Sequence, residues 1–301
     1  MDRRTFLATS AGAFAALKGG MQRTSTMLTR PIPSSGEALP VVGLGTWQTF
    51  DPPRTDEASL APLAETLKTL HELGGRVVDS SPMYGKSEEV AGTLSERLGL
   101  NDDLWIATKV WTRGEREGIA QMEASMRLLR RPRRIELMQV HNLVDWRTHL
   151  RTLRRWKEEG RVKYIGVTHY VPSAFPELER IVRQERVDFV QLPYSVALRD
   201  AESRLLPAAR DAGVAVLVNR PFEGGTLFRD VRQRPLPPEI GAWAESWAQA
   251  FLKFLLAHPA VTCVIPGTAN PRHVRDNARA GHGRLPSDAE RAALLPALGL
   301  R

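Results

Sequence analysis

The chain has 301 residues, which is enough for one large α/β domain or for two smaller ones. Its formal charge is +8, and residues 1–30 carry half of that excess. The densest basic run, residues 127–134, has leucines and a proline between its arginines but no aromatic residues that could stack on bases. A solvated helix end is therefore favoured over a nucleic-acid surface. The single cysteine excludes an intrachain disulfide, and no apolar run reaches the roughly 18 residues of a membrane span.

The N-terminal segment MDRRTFLATSAGAFAAL places Arg3 and Arg4 ahead of a weakly apolar, Ala-rich stretch. This pattern predicts a twin-arginine export signal within residues 1–30 and a periplasmic location for the mature protein. The alternative is a cytoplasmic protein whose true start is Met21 or Met27, because no clean cleavage site follows the apolar stretch. With residues 1–30 as the leader, residues 31–301 are the folded domain.

Eight β-rich apolar runs alternate with helical patterns from residue 40 onward. The runs cover residues 41–44, 77–80, 104–109, 135–140, 162–167, 187–192, 214–218 and 261–265. Between them, helical stripes appear at residues 119–129 and 243–255. Continuous apolar strands that alternate with helices predict a parallel (β/α)8 TIM barrel. An open doubly wound sheet is the alternative, but the first strand is followed only by GLG and not by a full dinucleotide-binding glycine motif.

Two further segments flank the barrel pattern. Residues 28–40 are rich in Pro, Ser and Gly, and we expect them to form a short hairpin over the bottom of the barrel. Residues 287–298 begin with a plausible Ser N-cap and should form a helix that covers an end or the rim of the barrel.

Four reactive side chains follow three consecutive strands. Asp79, Lys109 and His141 end the second, third and fourth strands, and Tyr84 lies in the loop after Asp79. In a TIM barrel the carboxyl ends of the strands form the active site, so these groups should converge. Each alone is more often a cap or a solvated polar residue, and only their joint occurrence points to a site.

These four groups suit proton donation to a carbonyl oxygen. A phenol has a pKa near 10, so Tyr84 needs a neighbouring ammonium, which Lys109 would supply while Asp79 holds Lys109 protonated. His141 would bind the carbonyl oxygen or share the proton relay. Hydride would come from a nicotinamide cofactor, and no metal is assigned to the site.

This tetrad, followed by the motifs YIGV, QLPYS and IPGT and preceded by VVGLGTW, resembles the aldo-keto reductase superfamily along residues 39–280. The resemblance implies that Gln191 grips the nicotinamide carboxamide and that Tyr194 stacks on the ring. It implies further nucleotide contacts from the strand ends, the loop after the seventh strand and the last helix start. These are Thr46, Trp47, Thr168, His169, Asn219, Arg220, Pro221, Phe222, Gly224, Thr268, Arg272, Asp276 and Asn277.

The chain departs from the family pattern at two places. Thr168 and His169 stand where Ser-Asn is usual, and a neutral His169 donates only one ring N–H. His273 stands where many NADPH-specific members carry an arginine that binds the 2′-phosphate, although Arg272 and Arg275 lie beside it. NADPH is therefore favoured and NADH remains possible.

The sequence thus predicts an NAD(P)H-dependent enzyme that reduces a small-molecule aldehyde or ketone, with Tyr84 as general acid. Trp47, Phe50, Trp111 and Tyr170 follow strand ends and indicate an aromatic substrate pocket. One alternative is a nicotinamide-nucleotide sensor barrel with little turnover. Another is a lyase that forms a Schiff base through Lys109. The substrate and the oligomeric state are left open.

Overall fold

The computed structural model describes residues 26–229 and 231–300. Within them, eight parallel strands form one sheet in sequence order, and the first and last strands meet through the bridges Val42 to Val264 and Gly45 to Gly267. The sheet is therefore a closed (β/α)8 TIM barrel, as the alternating pattern predicts, and the open sheet is excluded. The barrel strands are β3 (Leu44–Gly45), β4 (Val77–Asp79), β5 (Trp105–Val110), β6 (Ile135–His141), β7 (Val162–Thr168), β8 (Phe189–Pro193), β9 (Ala215–Asn219) and β10 (Val261–Val264).

Ten α-helices accompany the strands in the described residues. They are α1 (Glu57–Glu72), α2 (Ser87–Arg97), α3 (Glu115–Leu128), α4 (Trp146–Glu158), α5 (Phe175–Gln184), α6 (Leu205–Asp211), α7 (Pro238–Gly241), α8 (Trp247–Leu256), α9 (Pro271–Arg279) and α10 (Asp288–Ala297). Their apolar faces pack on the outside of the barrel, where they bury the outward-facing strand residues in the main core. Within residues 26–229 and 231–300, no helix is long and apolar enough to span a membrane.

The end of the barrel that holds the strand starts, called here the bottom, is closed by a hairpin. Strands β1 (Thr29–Pro31) and β2 (Ala38–Pro40) pair antiparallel, as residues 28–40 predict. Ile32 and Leu39 of this hairpin join a buried cluster that fills the lower barrel interior with Trp105, Tyr164 and Phe189. The bottom is therefore a packed apolar core.

The folded domain begins earlier than residue 31. Met27 is buried, and Leu28 N donates to Gly281 O at 2.7 Å. The Arg30 guanidinium donates to the carbonyl oxygen of His258 at 2.8 Å and to those of Leu256 and Val261. The boundary at residue 30 is thus wrong, because residues 27–30 already pack against the barrel. Arg3, Arg4 and the rest of the leader through residue 25 lie outside the described residues, and the export signal stays a prediction.

The second helical stripe and the C-terminal helix differ in how closely they follow the sequence prediction. Helix α8 begins at Trp247 because the Ser246 hydroxyl accepts a hydrogen bond from Gln249 N, so Trp243 lies before this helix. Helix α10 begins after Ser287, whose side chain forms a capping box with Glu290, as the predicted N-cap requires.

Candidate active site

The ends of β4 and β5 bring Asp79 and Lys109 together inside the upper barrel. Lys109 Nζ lies 2.6 Å from Asp79 Oδ2 and 2.6 Å from the carbonyl oxygen of Ser80. The Lys109 side chain has no exposed surface, and that of Asp79 is 4% exposed. A charge buried this deeply is stable only with a partner, so the two groups form an ion pair whose members depend on each other.

A second set of bonds holds the other oxygen of Asp79. Gln191 Nε2 donates to Oδ1 at 2.9 Å and Gln139 Nε2 donates to it at 3.2 Å. Because all of these donors are buried, the carboxylate has its hydrogen bonds supplied by the protein.

Tyr84 is placed by a tight loop that follows β4. Gly85 has a φ of +57°, and Lys86 N donates to Asp51 Oδ1 at 3.0 Å. The Lys86 ammonium also donates to the carbonyl oxygens of Pro52 and Pro53, at 3.1 and 2.9 Å. These bonds fasten the Tyr84 loop to the loop after β3. As a result, Lys109 Nζ lies 5.0 Å from the centroid of the Tyr84 ring.

The pKa values of Tyr84 and Lys109 both lie above their ordinary values. For Tyr84, burial raises the pKa, the Lys109 charge lowers it, and the Asp79 charge raises it. For Lys109, burial lowers the pKa, but the charges of Asp79 and Tyr84, together with its hydrogen bonds to them, outweigh burial and raise the pKa overall. Near neutral pH the site therefore holds a protonated phenol beside a permanent ammonium. A protonated and fully buried amine is poorly suited to nucleophilic attack, which argues against a Schiff base on Lys109.

His141, at the end of β6, stands next to the tyrosine. Its ring meets the Tyr84 ring edge-on with centroids 5.7 Å apart, and its Nδ1 lies 2.9 Å from Ser81 Oγ. Burial, helped by the charges of Lys109 and His169, lowers the pKa of His141 to about 2. The imidazole is thus neutral, and it can serve as a hydrogen-bond donor.

The barrel mouth carries three aromatic side chains with large exposed surfaces. Trp47, Trp111 and Tyr170 are 47%, 41% and 49% exposed, and Trp111 lies near His141 with ring centroids 6.4 Å apart. These positions agree with an aromatic pocket above the four central groups. Phe50 is fully buried, so its assignment to that pocket is wrong, because the chain turns it into the core.

Several predicted cofactor residues lie beneath the site and not on its surface. The Thr46 hydroxyl is buried and donates to Asp79 O at 3.0 Å. Thr168 Oγ1 and Asn219 Nδ2 both donate to Gln191 Oε1, at 3.2 and 3.3 Å. The Gln191 amide is thus bonded on both sides within the protein. Its proposed grip on a carboxamide stays a prediction.

Tyr194 does not face the site. It has no exposed surface, and its hydroxyl hydrogen-bonds with Glu202 and Arg291 on the outer side of the barrel. Burial raises the pKa of this hydroxyl, in addition to the effect of Glu202. A ring with no exposed face cannot stack on a ligand, so the assignment of Tyr194 to the nicotinamide is corrected: the residue anchors α10 through Arg291.

The loop after β9 and the start of α9 flank the same mouth. Arg220, Glu223 and Gly224 adopt positive φ values of 50°, 50° and 65°, so the backbone turns sharply where a nucleotide contact is predicted. Pro221 is buried, and Phe222 packs on Phe228 with ring centroids 5.0 Å apart. Asn219 Oδ1 is buried without a hydrogen-bond partner among the described residues. This unpaired acceptor fits a site that is completed by a donor from a ligand.

Helix α9 presents basic side chains near its start. The Asn270 side chain accepts from Arg272 N, and Arg272, His273 and Arg275 are exposed. Thr268, just before the helix, is largely buried and accepts from Asn270 N at 3.1 Å.

Asp276 and Asn277 lie further along α9, where they face the protein. The Asp276 carboxylate accepts from Ser246 Oγ and Gln249 Nε2, at 2.7 and 2.8 Å, and Asn277 is buried. Both bonds tie Asp276 to the start of α8, so an adenine contact would have to share this carboxylate.

His169 has a defined tautomer, which the sequence left open. Its Nδ1 accepts from the backbone N–H groups of Tyr170 and Val171, at 3.0 and 3.2 Å. Burial lowers the pKa of His169, so the ring is neutral and its proton sits on Nε2. The residue can therefore offer one ring donor toward a ligand.

The comparison with family models decides the classification. The model of the aldo/keto reductase family matches residues 41–293. The chain belongs to the aldo/keto reductase family. This match covers all eight barrel strands, and it includes each of the four central residues.

Relatives of this aldo/keto reductase are distant but nearly full-length. An aldo-keto reductase of Mycobacterium sp. (strain JLS) is 24% identical over 277 residues, with 81% of this chain and 84% of the relative covered. The NADH-specific methylglyoxal reductase of Escherichia coli is 23% identical over 314 residues, with 86% and 95% covered. The crystal structure of an aldo/keto reductase from Klebsiella pneumoniae in complex with NADP and acetate has a TM-score of 0.74 at 24% identity, with 88% and 94% covered.

Two contributors to the site of this reductase were not anticipated from the sequence. Gln139 bonds to Asp79, and Ser81 bonds to His141. A usable signal exists for Gln139, because strand residues two apart share a face and Gln139 is two residues before His141 in a buried strand. Ser81 lies in the loop after β4, where strand alternation does not apply.

Proposed function

We propose that this aldo/keto reductase reduces an aldehyde or ketone to an alcohol, with Tyr84 as the acid that protonates the carbonyl oxygen. The observation that carries the proposal is the geometry around Lys109, whose Nζ lies 2.6 Å from Asp79 Oδ2 and 5.0 Å from the Tyr84 ring centroid. A phenol beside a fixed ammonium is a stronger acid than the same phenol beside neutral neighbours.

Each residue has a distinct part in the proton transfer. Lys109 stabilises the phenolate that forms when Tyr84 gives up its proton, and Asp79 keeps Lys109 charged and aimed. Neutral His141 donates a hydrogen bond to the carbonyl oxygen and so orients it. Trp47, Trp111 and Tyr170 cover the bound carbonyl compound at the mouth, which favours substrates with apolar or aromatic groups.

We infer that the cofactor is a reduced nicotinamide dinucleotide, with NADPH favoured over NADH. When bound, it supplies the hydride. The unpaired Asn219 Oδ1, the His169 ring donor and the turn at Arg220 fit its nicotinamide end. Exposed Arg272 and Arg275, neither of them in an ion pair within the described part of the chain, suit a 2′-phosphate.

The test compares Tyr84→Phe with the wild-type protein on a panel of aldehydes and ketones. We expect carbonyl reduction to fall by about 10²- to 10⁴-fold, because the general acid is lost, while NADPH still quenches the tryptophan fluorescence. Tyr164→Phe is the matched control, since it removes a phenolic hydroxyl at the bottom of the barrel. Its turnover should equal that of the wild-type protein.

The same experiment separates the alternatives. Cofactor binding without oxidation of NADPH by any carbonyl compound would support the nucleotide sensor and contradict the proposal. Titration of the fluorescence quench with NADPH and with NADH in parallel measures the cofactor preference. Tighter binding of NADH would overturn the NADPH preference but leave the role of Tyr84 standing.

A further inference from the structure

Gln139 occupies a central place in the barrel interior that the proton transfer described above does not use. It lies on β6 in register with Lys109 on one side and with Gly166 on the other, and it has no exposed surface. Its Nε2 donates to Asp79 Oδ1 at 3.2 Å, and its Oε1 accepts from Gln191 Nε2 at 3.3 Å. Asp79 therefore meets the ammonium with one oxygen and two amides with the other.

Packing alone does not call for an amide at this position. Leu137, two residues earlier on the same face of β6, is a buried member of the apolar cluster in the barrel interior. A leucine at 139 would fill a similar volume without the cost of taking a polar group out of water. The amide is thus accounted for by what it bonds to, which is the carboxylate of Asp79.

We propose that Gln139 is a positioning residue that, together with Gln191, fixes the Asp79 carboxylate and withdraws part of its negative charge, so that the field of Lys109 reaches Tyr84. This inference rests on the proposed function, because it concerns the strength of the same acid. Gln139 acts through Asp79 and Lys109 and touches neither the substrate nor the phenol.

The electrostatics of the pair give the direction of the effect. The Lys109 charge lowers the pKa of Tyr84 and the Asp79 charge raises it. Donors to Asp79 reduce the charge that opposes Lys109. Without the Gln139 donor, Asp79 cancels more of the ammonium field, so Tyr84 becomes a weaker acid.

Few other groups near Gln139 can change charge. The titratable side chains around this part of the barrel are Asp79 on β4, Tyr84 in the loop after β4, Glu88 on α2, Lys109 on β5, His141 on β6, His169 after β7 and Cys263 on β10. The pKa of His141 is lowered to about 2, and burial raises that of Cys263 well above its usual range. Burial also raises the pKa of Glu88, which accepts hydrogen bonds from Thr108 and Ser125 and none from Gln139. A shift at alkaline pH that is absent in the Tyr84→Phe background therefore reports on Tyr84.

The first variant is Gln139→Leu, which keeps the volume and removes the donor. We expect kcat to fall about tenfold with KM unchanged, because a hydrogen bond to a charged group is lost without loss of a substrate contact. The alkaline limb of the kcat profile should move to higher pH, because it follows the ionisation of Tyr84. An unchanged kcat with a superimposable pH profile would overturn the proposal.

The second variant, Gln139→Glu, turns the same position into a pH-dependent donor. When protonated, the introduced carboxyl can still donate to Asp79, and when ionised it places a second negative charge beside it. Activity should approach the wild-type value at acidic pH and fall as the carboxyl ionises. This fall should occur at a lower pH than the alkaline limb of the wild-type profile. The same activity ratio to wild type at every pH would contradict a role through charge.

Two further measurements keep the result interpretable. Thr262→Val removes a buried hydrogen bond to Val216 N outside the polar cluster, and it should lower stability without moving the pH profile. Ultraviolet titration of the phenolate, read as the difference between each protein and its Tyr84→Phe partner, needs no turnover. If the wild-type protein reduces no carbonyl, the proposed function fails, while an upward shift of this titration in Gln139→Leu would still support the positioning role.

Discussion

The two ends of the barrel are built from the same strands but are stabilised by different interactions. At the bottom, the strand starts carry Trp105, Tyr164 and Phe189, whose rings lie 5.4–6.1 Å apart beneath the hairpin. At the top, the strand ends carry a buried ion pair, two amides and a neutral imidazole. The bottom is stabilised by apolar burial, which tolerates many arrangements. The top depends on individual hydrogen bonds, and each loss leaves another polar group unpaired.

The largest expected effect comes from removing the cation at the top. Lys109→Met should lower carbonyl reduction by about 10³-fold or more, because the phenolate loses its stabilising charge. It should also lower the free energy of unfolding by about 3–5 kcal/mol, since Asp79 is left as an unpaired buried charge. Urea unfolding and steady-state kinetics measure the two losses separately.

The matched control for this prediction is the double variant Asp79→Asn with Lys109→Met. It removes the stranded charge while Gln139 and Gln191 still find an acceptor at position 79. Stability should largely return, and activity should not. If the single Lys109→Met variant is as stable as the wild-type protein, the ion pair contributes little to the free energy of unfolding.

A smaller effect is expected from the loop that aims Tyr84. In Gly85→Ala, the new Cβ would lie 2.3 Å from Asp51 Oδ2, at a backbone φ of +57°. The loop must shift, and a displacement of about 1 Å of a reacting group can cost about 10²-fold in rate. We therefore expect kcat to fall 10- to 100-fold, as measured with saturating NADPH.

Gly99→Ala serves as the control for backbone strain. Gly99 has a φ of +67°, but a Cβ added there would meet no atom within 4 Å. Both variants should lose about 1 kcal/mol of stability from the positive φ, but only Gly85→Ala should lose activity. Equal kinetics of the two variants would show that the contact with Asp51 does not position Tyr84.

The smallest effect on chemistry should come from the bottom. Phe189→Ala removes a fully buried ring and should lower the free energy of unfolding by about 3–5 kcal/mol. The kcat/KM per folded molecule should stay at the wild-type value, because the site lies at the other end of the strands. Active-site titration corrects for any unfolded fraction, and a reduced kcat/KM after that correction would show that the two ends are coupled.

The sequence was sufficient where a pattern repeats. Alternating apolar strands and amphipathic helices predict the barrel, and the polar residue that ends three consecutive strands predicts the cluster of Asp79, Lys109 and His141. The hairpin of residues 28–40 and the Ser287 cap also follow from local chemistry. The sequence was insufficient where direction matters. Tyr194 and Phe50 follow strands, but their side chains turn into the protein.

The identity of the four reactive groups and their order on successive strands are properties of the chain, because strand length and side-chain alternation determine which residues end at the mouth. Tertiary structure decided which polar groups bond to one another. Gln139 meets Asp79 only because strands distant in sequence close into a barrel. Hydrogen bonds of this kind depend on distances of a few tenths of an ångström, which no pattern of residue types specifies.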